Sequence, residues 1–160
     1  MRQRVRQFFA ASRKPTEADL TEARQHLSSE LLTLFLAQHP RDIVHAVETA
    51  RYLLARGYSD ADVLAAALLH DIGKGQQRRW DRVAYVVAGW VRLDAAVASS
   101  SSRLELRRAM TRSLVHSEAG ARLLEGAGAP PRVVALTRLH HAQPNGDAML
   151  AALQEADAAS

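Results

Sequence analysis

Residues 66–75 read AALLHDIGKG. The stretch opens as the end of a buried helix, since Ala66, Ala67, Leu68 and Leu69 carry no polar side chain. It then closes on His70 and Asp71 side by side, followed by Gly73 and Lys74. A cation-binding side chain on a buried helix is costly unless something neutralises it. Adjacent helical residues point about 100° apart. Near a helix C-terminus, where the backbone turns away, both side chains can still reach one ion. The partial negative charge at that end suits a cation. Alone, a His-Asp pair reads better as a histidine salt-bridged to its neighbourhood, so the weight falls on the other histidines.

The chain has seven histidines, and five of them fall where they can converge. His45 lies at the edge of the apolar stripe Ile43, Val47, Ala50 and Leu54, near Thr49 and Leu53. His116 immediately precedes SEAG. His140 shares a face with Val133, Leu136 and Thr137, and His141 follows it. Asp157 continues the apolar face of Leu150 and Leu153, where a carboxylate is out of place without a partner. His26, among polar residues, and His39, before a proline, read as surface residues.

The rest of the chain predicts the frame. At 160 residues it has the size of one domain. With 48% hydrophobic and 24% charged residues it has an ordinary globular composition. No cysteine is present, so any metal must be held by His, Asp or Glu. The net charge of +4 favours anionic partners only weakly. Its arginines are dispersed apart from Arg78-Arg79 and Arg107-Arg108, which argues against a nucleic-acid binder. No apolar run is long enough to span a bilayer, and VAYVVAGWV (83–91) reads as a buried helix. A cytoplasmic location is therefore expected. Residues 1–16 read as a basic amphipathic arm rather than a transit peptide, and 17–160 as the domain.

Punctuation along the chain is helical, with no period-two strand, so the fold class expected is all-α. A first helix starts near Thr16 or Asp19 and runs to QHP. A second covers Arg41 to Arg56 and ends at Gly57. Ser59 reads as the N-cap of the helix carrying DVLAAALLHD, which Gly73 stops as a left-handed C-cap. Lys74 to Arg79 reads as a loop, followed by a helix from about Trp80 to Ala98 that the serines 99–102 break. Ser102 and Glu105 resemble a capping box. Further helices carry SEAGARLLEG, RVVALTRLHH behind Pro131, and DAMLAALQEADAAS.

These residues resemble the HD-domain superfamily of metal-dependent phosphohydrolases. The matching positions are His45, ALLHDIGK with His70 and Asp71, His116, the doublet His140-His141, and AD with Asp157. They cover the chain from roughly Leu27 onward. The ordered set resembles the two-metal branch. The resemblance implies an all-helical bundle with a central metal site. It implies that His45, His70, Asp71 and Asp157 hold one ion, and that Asp71 bridges to a second. That second ion would be held by His116 and by His140, His141 or both. Lys74 matches the lysine that meets substrate phosphate, so Asp71 and Lys74 are the expected catalytic pair. After the doublet this chain has AQPNGD, not the GYP of the cyclic-dinucleotide branch, and before His45 it has RDIV without the upstream glutamate of some relatives.

The donor chemistry agrees with a divalent transition metal. Imidazole and carboxylate ligands suit Fe or Mn, with Zn, Co and Ni as alternatives. Two such ions activate a water and clamp a phosphoryl oxygen, with no protein nucleophile needed. Because the imidazoles must be neutral, occupancy should fall in mild acid. The expected function is hydrolysis of a phosphoester on a nucleotide or other small phosphorylated metabolite. The competing readings are a nucleotide-binding regulatory module that keeps the fold without turnover, and a di-iron oxygenase. Neither substrate identity nor oligomeric state is legible.

Overall fold

The computed structural model describes residues 13–76 and 115–160, and every regular element among them is helical. Helix α1, Glu17–His26, starts at a capping box in which Thr16 and Asp19 satisfy each other's backbone amides. Asp19 is buried. Its Oδ2 accepts from Thr16 N, Thr16 Oγ1 and Arg13 Nη1, each at 2.8 Å. Its Oδ1 lies 2.9 Å from Arg51 Nη1. Burial works against the Asp19 charge, but Thr16 and Arg13 outweigh it and hold the carboxyl down at about 2.

The single helix expected from Thr16 to QHP is two. Leu27 turns extended (φ −120°, ψ 140°). Ser28 then caps α2, Ser29–Leu36, accepting from Leu31 N at 3.4 Å. The leucine spacing runs through this break because both helices bury leucines against the same core. Helix α3, Pro40–Ala55, begins on a proline, whose missing N–H costs nothing in a first turn. It ends at Gly57, whose φ of 85° lets Gly57 N donate to Leu54 O and Tyr58 N to Leu53 O.

Helix α4, Ala61–Leu69, is capped by Asp60 rather than the expected Ser59. The carboxylate Oδ1 accepts from both Asp62 N and Val63 N, which a hydroxyl one residue earlier does not do. Gly73 is not a left-handed cap either. His70 closes α4 in right-handed geometry and the chain passes into a 3-10 turn, Ile72–Gln76. Only Gly57, Gly128 and Gly146 among the described glycines have positive φ. Gly73 is needed for approach: a Cβ there would lie 1.9 Å from His116 O and 2.8 Å from Gly120 N.

The chain is next described in α5, residues 115–126. Helix α6, Pro131–Leu139, again opens on a proline. Helix α7, Ala148–Ala159, is capped by Asp147, whose Oδ1 accepts from Leu150 N at 3.1 Å. The helix expected over 80–98, the serine break, the Ser102–Glu105 box, the pairs Arg78-Arg79 and Arg107-Arg108, and most of the N-terminal arm lie outside the described residues.

Helix α4 is the axis. It packs against α1, α3, α6 and α7, and every residue from Val63 to Leu69 is buried. A helix apolar all round belongs inside a core, and each of its leucines contributes on the order of 2 kcal/mol by burial. The axis therefore delivers His70 and Asp71 to the interior. Helix α7 lies along both α3 and α4, which brings the end of the chain back to their donors. No helix among the described residues is long and apolar enough to cross a membrane.

Candidate metal centre

The donors sit at helix ends and along helix faces that surround the end of α4. His70 is the C-cap of α4 and is fully buried. Its Nδ1–H donates to Ala67 O at 2.9 Å. That bond leaves the Nε2 lone pair facing inward, 3.4 Å from Asp71 Oδ2 and 3.4 Å from Asp157 Oδ1. Among the described residues, this buried Nε2 has no hydrogen-bond partner. A lone pair facing two carboxylates is a poor arrangement unless a cation lies between them. His45, from α3, points its Nε2 at Asp157 Oδ1, 2.8 Å away, and lies 4.0 Å from Asp71 Oδ2. His45, His70 and Asp157 each offer a ligand atom, all within 4.8 Å of one another.

On the other side the pattern repeats with imidazole alone. His140 is the C-cap of α6, and its Nδ1–H donates to Thr137 O at 2.6 Å. Its Nε2 lies 3.3 Å from His116 Nε2, which is 3.1 Å from His141 Nε2. These three histidines form a second set within the same 4.8 Å limit. The rings run as a chain, with centroids 5.4 Å apart for His45–His70, 5.2 Å for His70–His140 and 5.3 Å for His140–His116.

Asp71 stands between the sets. Its Oδ2 faces His45 and His70, while its Oδ1 lies 3.5 Å from His116 Nε2 and 3.8 Å from His140 Nε2. Burial opposes its charge, yet His70, His116 and Lys74 hold the carboxyl well below the usual carboxylate range. Asp157 is lowered in the same way, with burial outweighed by the neighbouring His45 and His70. The histidines split. His70 is pushed up, because Asp71 and Asp157 overcome its burial. His140 is pushed down to about 3 by burial and by the charge of His70. His141 is lowered by burial and by His116.

Each set could hold a divalent metal ion. The tautomers of His70 and His140 are preset by backbone carbonyls, as metal-binding histidines require, and the nitrogen–oxygen donors suit a transition metal. The family model of the HD domain matches residues 42–159. The chain belongs to the HD-domain family. No curated protein and no solved structure matches it. In this HD domain the match begins at Asp42, while α1 and α2 precede it and α1 packs on α3 and α4.

All seven residues read from the sequence as metal donors therefore lie in one cluster: His45, His70, Asp71, His116, His140, His141 and Asp157. His39 is apart from it, exposed and capping α3 by accepting from Arg41 N, and His26 ends α1. Lys74, expected to meet phosphate, places its half-exposed ammonium on Asp71 Oδ2. Two supporting features of the HD domain escaped the sequence reading. One is the close crossing of Gly73 over α5, for which Gly120 was a signal: a glycine inside the helix SEAGA marks a close approach. The other is the pair of carbonyls, Ala67 O and Thr137 O, which no side-chain motif encodes.

Proposed function

We propose that this protein is a metal-dependent phosphohydrolase, cleaving a phosphoester of a nucleotide or another small phosphorylated metabolite with two divalent transition-metal ions, Fe or Mn. The observation that carries this reading is the position of Asp71, with one carboxylate oxygen toward each three-donor set. Ions held there would supply Lewis acidity and lower the pKa of a water.

The chain's own groups have definable parts. His45, His70 and Asp157 would bind one ion, His116, His140 and His141 the other, and Asp71 both. Ala67 O and Thr137 O keep Nδ1 protonated on His70 and His140, so that Nε2 is the ligand atom. With ions held at Asp71, Lys74 would be free of that carboxylate, and its ammonium would offset charge on the phosphoryl oxygens. Core packing around Leu68 and Leu69 keeps bulk water from the inner donors.

The test is phosphate release from a panel of nucleotides and generic phosphoesters, using protein stripped of metal and reloaded with Mn or Fe(II). Activity that appears only on reloading and is lost in Asp71→Ala is expected. Metal uptake and nucleotide-induced stabilisation without any product would instead establish a binding module.

A further inference from the structure

His141 is the one exposed member of the six imidazole and carboxylate groups in the two sets. It lies in the turn after α6. His70 and His140 are anchored through Nδ1 to carbonyls of their own helices, whereas among the described residues His141 has no hydrogen bond at Nδ1. Its placement therefore depends on the backbone of its turn.

That backbone is tied down from across the site. Gln154 Nε2, on α7, donates to Ala142 O at 2.6 Å. The amide orientation is fixed chemically, because a carbonyl cannot accept from Gln154 Oε1. Ala142 directly follows His141, and Ala142 N donates to Leu139 O at 2.7 Å. Gln154 is one helical turn before Asp157, the carboxylate of the opposite set. One carboxamide thus joins the helix that carries the first set's carboxylate to the turn that carries the second set's outermost histidine.

We propose that Gln154 is a positioning residue for the second metal ion, acting through the His141 turn; the inference rests on the two-ion reading above. Metal-free protein is titrated with Co(II), following bound ions and the visible absorption of the cobalt. The variants are Gln154→Met, which removes the donor without adding charge, and Gln154→Asn, which is too short to reach. Tyr52→Phe is the control, since it removes the α3–α7 hydrogen bond from Tyr52 to Glu155 without touching the turn.

Wild type and Tyr52→Phe are expected to bind two ions. Both Gln154 variants should keep the first with unchanged affinity and hold the second about 10-fold more weakly, the usual scale for an outer partner of a ligand. In metal-free protein their Ala142 amide should exchange faster, with thermal stability near wild type. Gln154 variants that bind the second ion like wild type overturn the strap alone. A wild type that binds fewer than two ions overturns the two-ion reading, and the strap with it.

Discussion

Helices α4 and α6 end in the same way and mean different things. Each closes on a Leu-His pair, with the histidine as C-cap and its Nδ1–H on the carbonyl three residues back. The residue that follows diverges: Asp71 after His70, His141 after His140. Around His70 the set mixes imidazole and carboxylate, with Asp157 alongside, and the ring's pKa rises. Around His140 every neighbour in the set is an imidazole, and the ring drops to about 3. The local device aims a nitrogen, and the neighbouring charge decides what that nitrogen does. In the metal-free protein His70 tolerates a proton in place of an ion, and His140 excludes one.

The heaviest blow to this contrast is Asp71→Ala, because both sets share that carboxylate. Metal content should fall at both sites and hydrolysis by about 100-fold or more, read by elemental analysis and phosphate release. If one ion stayed bound with wild-type affinity, Asp71 would not be shared.

Next comes Gly73→Ala. The new methyl would strike the His116 carbonyl, which belongs to backbone and cannot swing aside. A loss of about 2–3 kcal/mol in chemical denaturation is expected, with the all-imidazole set damaged more than the mixed one. Gly120→Ala meets Ile72 Cγ2 at 3.1 Å, which can yield, and Gly73 N at 3.3 Å, which is backbone. There the helix-propensity gain of roughly 1 kcal/mol offsets only part of the strain, so a smaller loss than for Gly73→Ala is expected.

Single substitutions separate the sets. His45→Ala should remove the ion of the mixed set and His141→Ala that of the imidazole set, each leaving the other, with His26→Ala altering neither. Ion counts by native mass spectrometry decide this, and loss of both ions from either variant would merge the two sets into one.

The gentlest probe is acid. His70, raised in the folded protein, adds stability that is complete below the ordinary histidine pKa and is lost as pH climbs through its raised value. His140 does the reverse. As pH falls from the usual histidine range toward about 3, the unfolded chain takes up a proton that the folded chain refuses, and stability declines. Imidazole NMR of metal-free protein should find His70 cationic and His140 neutral at the same mildly acidic pH. Matching titrations would erase the contrast.

The parts legible in the sequence are those written locally. Pro40, Gly57, Pro131 and Asp147 mark helix ends by their own chemistry, and the donors announce themselves as polar residues on apolar faces. The break at Leu27 was hidden because its leucines keep helical spacing, although Ser28 carried an N-cap signal. Asp60 and Ser59 are both competent caps, and only the geometry of two adjacent amides chose between them. The roles of Gly73 and Gln154 are tertiary: each depends on a segment distant in sequence, His116 for one and Ala142 for the other.

Asp19 carries a practical consequence for anyone cutting this chain. The family match starts at Asp42, yet Arg51 inside the matched stretch pairs with Asp19 and Glu22 outside it. Ala23, Leu27, Leu31 and Phe35 also belong to the common core. A fragment trimmed to residues 42–159 would therefore lose one wall of its interior and leave a greasy face open to self-association. The smallest sensible unit for expression begins no later than Arg13.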